Sequence, residues 1–335
     1  MKITISDVAL KAGVSVATVS RVVNNQVGYS EKTKEKVLKV IEELNYTPNA
    51  IARGLASNSS STIGVLVPYI PTNIVSTIIK GLETSASDKG YSIIISNTGI
   101  DGERTGKCLG LMSEKRVDGI IIVSEPIHDE YYKILELMNI PAILVSTLSY
   151  KYEVPFVKVN DEKAAYDAVQ YLISKNHRNI AMISGCEDDL IAGKPRLEGY
   201  INALTENNIN INKRLIKYGD FSYKSGKTCM EELISQERNN FTAVFAASDD
   251  MAIGALKAAY YNNIKVPEDV SIMGYDNTQI SEMVTPALTV ISQPFEEMGK
   301  VAASNLIKII EKSNVVKNTI LKHEIIERES VEKLI

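Results

Sequence analysis

From Thr62 onward, short β-branched apolar runs recur with amphipathic stretches between them, and this alternation limits the fold more than any other feature of the chain. The runs lie at 63–68, 91–97, 118–124, 141–147, 156–159, 180–185, 243–248 and 270–274. Each is too short to be a buried helix and lacks the one-in, one-out pattern of a half-exposed strand, so each reads as a buried strand. Most are separated by stretches with helical periodicity, such as the one at 78–89. This predicts a parallel, doubly wound α/β sheet. Roughly 270 residues is long for one such sheet and natural for two side by side. Ligands of these sheets bind at the carboxyl ends of the strands, so two lobes would face each other across a cleft.

The first sixty residues follow a different pattern. Ser6 or Thr4 can cap a short helix with Val8 and Ala9 facing inward, and Gly13 stops it. Ser15 caps a second helix over 16–24 after a turn of only Gly13-Val14-Ser15. Ser30 caps a third, with Val37, Ile41 and Leu44 at helical spacing. Two short helices joined by a tight glycine turn form a helix-turn-helix, the second protruding and held by Val14, Val19 and Val22 or Val23. Beyond Thr47-Pro48, residues 49–56 are helix-competent but lack a large apolar face, and a Ser-rich linker follows at 57–61. An isolated helix of that length is unstable in water, so a partner must supply its contacts.

Charge separates these regions. Residues 1–60 hold eight Lys and Arg against five Asp and Glu, net +3, while the remainder carries −7. A basic head on an acidic body hints at polyanion binding confined to the head. Hydrophobic residues make up 44% of the chain, which excludes wholesale disorder. No run approaches the length of a membrane span, and the N-terminus has no apolar signal block. Cys108, Cys186 and Cys229 are odd in number and far apart, the pattern of reduced thiols in a cytoplasmic protein.

Enzyme chemistry finds little support. Residues 102–107 glance at a phosphate loop but have three residues between the glycines instead of four, and Cys108 follows where Ser or Thr is required. His128, His177 and His323 share no metal or nucleophile spacing. His177-Arg178 reads as a helix-end cap, and the pairs Asp188-Asp189 and Asp249-Asp250 read as helix starts. No catalytic residue, metal or cofactor is expected.

The segment Asp7-Val8-Ala9-x-x-Ala12-Gly13-Val14-Ser15-x-Ala17-Thr18-Val19-Ser20-Arg21-Val22-Val23-Asn24 resembles the N-terminal signature of the lactose-repressor (LacI/GalR) family. Tyr46-x-Pro48-Asn49-Ala50-x-Ala52-Arg53-Gly54-Leu55 is similar to its hinge, and Arg196-x-x-Gly199-Tyr200, Asp249-x-Met251-Ala252 and Gly274-Tyr275-Asp276-Asn277 extend the likeness through the body. The resemblance implies an α/β chain: an all-α helix-turn-helix domain at 1–47, a hinge and linker at 48–61, and a two-lobed periplasmic-binding-protein-like body at 62–335. Its first lobe would span about 62–160 and 293–322, its second about 161–291 and 323–335. Crossovers are expected near Asn160, Ser292 and Lys322.

A sequence-specific transcription regulator of this kind, most readily a repressor of a carbohydrate-utilisation operon, would read double-stranded operator DNA as a homodimer. The absence of a leucine-heptad tail after the last strand favours a dimer over a tetramer. The resemblance points to Val16, Ala17 and Arg21 for base contacts. Ser6, Thr18, Ser20 and Asn24 would hold phosphates, although Thr18 and Ser20 can equally serve helix packing. Asn49, Ala52, Arg53 and Leu55 fall in the hinge, with Leu55 as the wedge that opens a base step. A sugar or sugar phosphate would bind between the lobes near Tyr69, Thr72, Asn73, Asn160, Arg196, Phe221, Ser248 and Asp276. An ion pair between lobes is the alternative for Arg196, and core packing for Phe221. Relatives commonly carry aromatics after the first strand where this chain has Ile74 and Val75, so either stacking comes from Tyr69, Phe221 or Tyr275 or the effector is not a plain pyranose. The pattern leans toward the catabolite-control branch of the family, which uses a serine-phosphorylated phosphocarrier protein as corepressor. Thr285 stands where that branch has Arg, which disfavours such a partner.

Overall fold

The computed structural model describes residues 3–23, 27–46, 59–68, 73–99, 102–238, 240–313 and 316–335. The chain divides into two compact units, Met1–Ser61 and Thr62–Ile335.

In the first unit, α1 (Ile5–Ala12), α2 (Val16–Val23) and α3 (Glu31–Glu43) surround a small core of Val8, Ala9, Ala12, Val19, Val22, Val37 and Val40. Helix α1 begins at Thr4, whose amide and hydroxyl both donate to the Asp7 carboxylate at 2.8 and 2.7 Å. It ends at Gly13, whose left-handed φ of 62° turns the chain at no Cβ cost. Ser15 Oγ accepts the Thr18 amide at 3.1 Å and Ser30 Oγ the Thr33 amide at 3.3 Å, so α2 and α3 start where hydroxyls satisfy their first donors.

The second unit contains two six-stranded sheets. The first has the order β11-β5-β4-β3-β1-β2 and joins β1 (Thr62–Val67), β2 (Ser92–Asn97), β3 (Gly119–Val123), β4 (Ala142–Val145), β5 (Phe156–Val159) and β11 (Thr319–Leu321). The second has the order β12-β10-β9-β8-β6-β7 and joins β6 (Ile180–Ser184), β7 (Ile216–Tyr218), β8 (Ala243–Ala246), β9 (Ser271–Asp276), β10 (Thr289–Ser292) and β12 (Glu324–Ile326). All pairings are parallel except β10 with β12. The chain crosses between sheets three times: after β5, after β10 and between β11 and β12. Strands β1, β2, β3, β5, β6, β7, β8 and β10 are each followed by a helix, as the doubly wound reading requires, whereas β4 passes through 146–155 directly to β5. Four strands lay outside the sequence reading: β7, β10, β11 and β12, each of only three or four residues.

Helices α4 (Asn73–Asp88) and α12 (Phe295–Ile310) cover one face of the first sheet and cross at Gly81 and Gly299. A Cβ on Gly81 would lie 2.0 Å from the Glu296 carbonyl oxygen, so the two backbones touch.

His177 departs from its expected role as a helix-end cap. Its ring bridges Thr242 Oγ1 and the Glu332 carbonyl, each at 3.0 Å. A carbonyl only accepts, so Nε2 carries the hydrogen and the neutral ring takes the threonine hydroxyl at Nδ1. Burial lowers its pKa and preserves that state. The residue therefore anchors the C-terminal segment, which the Leu334 amide also ties to the Lys175 carbonyl at 2.8 Å.

Candidate functional site

In the head, one face of α2 is buried and the other exposed. Val19 and Val22 of α2 point into the core, which turns Val16, Ala17 and Arg21 outward; all three are exposed. Arg21 folds over the backbone of Gly28, where an added Cβ would come within 3.3 Å of its guanidinium. Ser6 is exposed, while Thr18 and Ser20 are half-buried. Thr18 Oγ1 also pairs with Ser15 Oγ at 2.9 Å, so its hydroxyl belongs to the helix start. Asn24, Asn49, Ala52, Arg53 and Leu55 lie outside the described residues, as do Tyr69 and Thr72 of the body.

In the body, the carboxyl ends of β6, β8 and β9 converge on Arg196, in α8 (Gly193–Glu206). Its Nε and Nη2 donate to Asp161 Oδ1, both at 2.8 Å, and Nη1 donates to the Ala247 carbonyl at 2.6 Å. Tyr275 stacks beneath the guanidinium at 3.8 Å, and the Phe221 ring lies 5.7 Å away. Asp161 opens α7 (Asp161–Ser174), in the same lobe as Arg196, so the ion pair is internal to the second lobe and not the interlobe bridge raised as an alternative.

The residue that does reach between lobes is Lys158. It sits on first-lobe strand β5, and its ammonium contacts Asp161 Oδ2 at 2.8 Å and the Ile191 carbonyl at 3.1 Å. A second contact has the same sense: Tyr150, in the first-lobe segment between β4 and β5, donates to the Leu190 carbonyl at 3.0 Å. The Lys158, Asp161 and Arg196 side chains are only 4–8% exposed. Burial opposes ionisation of Asp161, but Arg196 and Lys158 outweigh it and hold its carboxyl below the usual value. Burial likewise opposes the charge on Arg196, and Asp161 reverses that effect.

Two more buried carboxyls close the floor. Asp276, at the end of β9, accepts from Gln293 Nε2 at 2.7 Å and is bent into a positive φ of 123°. A non-glycine residue in that region stores about 1–3 kcal/mol of strain, a cost that clusters at ligand sites. Burial pushes Asp276 up to about 7 despite Arg196 and Gln293. Asp249, in the first turn of α10 (Asp249–Tyr261), is raised well above its ordinary value by burial and by Asp276. Its Oδ2 accepts from the Thr278 amide and hydroxyl, whereas Oδ1 has no hydrogen-bond partner among the described residues, which suits a neutral acid.

The remaining expected residues are placed as follows. Ser248 caps α10 and donates to the Phe221 carbonyl at 3.1 Å. Phe221 holds a left-handed φ of 65° and packs its ring against Gly185. Asn160 is exposed, and its side-chain oxygen accepts from the Lys163 amide at the start of α7. Asn73 opens α4 and shares a cavity of about 510 Å³ with Thr77, Asn277, Gln293 and Lys300. Arg196, Phe221, Ser248 and Asp276 thus come together, while Asn160 and Asn73 stand apart from them. Asp249 stands at a helix start, as its sequence reading has it, but was not expected at the site; Lys158, Asp161 and Gln293 were not expected there either, and a lysine inside the buried strand Phe-Val-Lys-Val was the signal available for the first.

Asp276 gives a titratable prediction. Its folded pKa lies above the unfolded value, so this group's contribution favours folding at low pH and fades as pH rises from about 4 to 7. Asp276→Asn removes the titration. The melting temperature of the variant minus that of the wild type should increase from pH 5 to pH 8 in a thermal scan; a flat difference contradicts the raised value.

Comparison with known proteins decides the family. A profile of bacterial regulatory proteins of the lacI family matches residues 4–49, and one of a periplasmic binding protein-like domain matches 169–331. The chain is 39% identical over 331 residues to catabolite control protein A of Priestia megaterium, covering 98% of this chain and 99% of that protein. The chain belongs to the LacI family.

Other LacI-family proteins agree in sequence and in fold. The transcriptional repressor PurR of Vibrio campbellii is 35% identical over 333 residues, covering 99% of each chain. The lac repressor dimer bound to operator and the anti-inducer ONPF superposes with a TM-score of 0.87 at 30% identity, over 99% of this chain and 100% of that one. A complex of the transcriptional regulator CelR with cellobiose gives 0.76 at 31% identity, over 98% and 99%. This LacI-family chain is a DNA-binding transcriptional regulator. No helix among the described residues is long and apolar enough to cross a membrane.

Proposed function

We propose that the chain is a cytoplasmic, homodimeric repressor of a carbohydrate-utilisation operon, with no enzymatic role. A sugar or sugar phosphate bound between the lobes would switch it. Residues 1–47 would read the operator, 48–61 would form the hinge, and 62–335 would bind effector and dimerise. The observation that carries this reading is the convergence of Arg196, Asp276, Phe221 and Tyr275 at the carboxyl ends of second-lobe strands, in a chain that also holds an exposed α2 face headed by Arg21. A guanidinium, a carboxyl and the Phe221 ring match the hydroxyls and apolar face of a pyranose, while the fully buried Tyr275 supports Arg196 from beneath instead of stacking on ligand. Ligand would shift the equilibrium between lobe arrangements only to the extent that it binds one better than the other.

The test is a gel shift of the full-length protein on its own upstream region, with and without a panel of sugars. Arg21→Ala should weaken binding to the specific duplex by about tenfold to a hundredfold, the worth of one bidentate guanine contact. Leu55→Ala should weaken it at least as far, because the unstacking wedge is lost, while the body melts unchanged. Failure of the intact protein to bind any duplex at low salt would end this reading. Identity to catabolite control protein A supports a second one, a regulator assisted by a phosphorylated phosphocarrier protein. In that case the phosphoprotein, not a free sugar, should tighten the gel shift.

A further inference from the structure

We infer that Asp161 is a specificity-determining residue that closes the two cations of the cleft floor, Lys158 and Arg196, to anionic ligands and leaves the site suited to a neutral polyol. This rests on the cleft reading above and narrows it from sugars and their phosphates to uncharged sugars.

Three facts combine. First, a single carboxylate engages both cations: Oδ1 takes two guanidinium donors of Arg196 and Oδ2 takes the Lys158 ammonium. An arginine that must receive a phosphate or carboxylate offers a free fork of parallel donors; here Nε and Nη2 already face a resident carboxylate. Second, the other donors are directed to backbone oxygens, Nη1 to Ala247 and Nζ to Ile191, so both cations are held in place by the protein. Third, the surrounding groups are acidic. Asp276 and the Tyr275 hydroxyl both neighbour Arg196 and Asp161, the tyrosine donating to Asp161 Oδ1 at 3.1 Å, and Asp249 lies behind Asp276. An incoming anion would displace Asp161 or settle beside Asp276, adding unpaired negative charge to a desolvated site. A neutral hydroxyl can accept from one of the two N–H groups of Arg196 that these contacts leave over and donate to Asp276 with no change in charge.

The probes are inorganic phosphate, glucose 6-phosphate and glucose, titrated by calorimetry into the full-length protein. The informative variant is Lys158→Met with Asp161→Asn, which removes one cation together with its carboxylate and leaves a single unpaired guanidinium. Its phosphate affinity should exceed that of the wild type by about tenfold or more, the worth of one charge-assisted hydrogen bond. Equal phosphate affinity in the two proteins, including none in either, overturns the inference. A second measurement needs no variant: across a panel of hexoses and their 6-phosphates on the wild-type protein, a phosphate ester that binds ten times more tightly than its parent sugar overturns it as well, and a parent sugar preferred over its ester supports it. A gel shift on the same samples separates the outcomes, since retained operator binding with phosphate-ester preference defeats only the role of Asp161.

Discussion

Asp161→Ala is expected to destabilise the protein by about 3–5 kcal/mol, a large part of the total stability of an ordinary domain. The reason is the asymmetry of buried charge. In the wild type, Lys158 and Arg196 have side chains 6% and 8% exposed and share one carboxylate. With the methyl of alanine in its place, two cations remain out of water with only backbone carbonyls and the Tyr275 ring to stabilise them. Lys158→Met combined with Asp161→Asn should cost much less, because a buried pair is often replaced by neutral groups at little net expense. Urea denaturation followed by circular dichroism would measure both. A single variant within about 1 kcal/mol of the wild type would mean that solvent reaches these side chains and that the triad is not a buried network.

The same triad shows where reading the sequence stops. The long strands were legible because a β-branched run such as Gly-Ile-Ile-Ile-Val in β3 carries its preference locally and is buried on both faces. Strands β7, β11 and β12 have three residues each and exist through pairing, with Met182, Val157 and Val290 as first partners. Nothing within three residues can announce that. Gly13, Ser15 and Ser30 marked the turns and helix starts of the head because capping is local chemistry. Arg196 and Asp276 were accessible through resemblance to a known family, whereas neither Asp161 nor Lys158 stood out, the lysine lying inside the run 156–159 that reads as a buried strand. Lys158 and Asp161 are only three residues apart, but Arg196 reaches the same carboxylate from α8, 35 residues further on, a relation set by tertiary structure. His177 is a parallel case: its position after α7 suggested a cap, but its partners are 65 and 155 residues away.

Lys158 also bears on switching. It belongs to the first sheet and holds Asp161 and the Ile191 carbonyl of the second, beside the β5 crossover. Tyr150 repeats the arrangement at Leu190. A ligand that reorganises Arg196 must act through Asp161, and Asp161 is fixed to the other lobe. On the proposed reading, the guanidinium that would meet the ligand and the lysine that spans the lobes share one carboxylate, an arrangement through which a small binding event can bias a rigid-body change.

Whether the first lobe can transmit such a change depends on the α4–α12 contact, and a pair of glycine substitutions tests it with opposite signs. Gly81→Ala places a Cβ 2.0 Å from the Glu296 carbonyl oxygen and 3.0 Å from the Lys300 amide nitrogen, both backbone atoms of α12 that no rotamer change can move. The helices must separate, and Ile78, Leu82, Met298 and Ala302, all fully buried, lose contact along the seam. Overpacking of this kind costs about 3 kcal/mol or more when the obstacle is main chain. Gly110 lies in the interior of the helix at Thr105–Glu114, and its added Cβ meets nothing within 4 Å. Gly110→Ala should therefore stabilise by about 1 kcal/mol through helix propensity alone. Thermal unfolding should move the two variants in opposite directions from the wild type. A Gly81→Ala protein that melts with the wild type would show that the two backbones do not meet at this crossing.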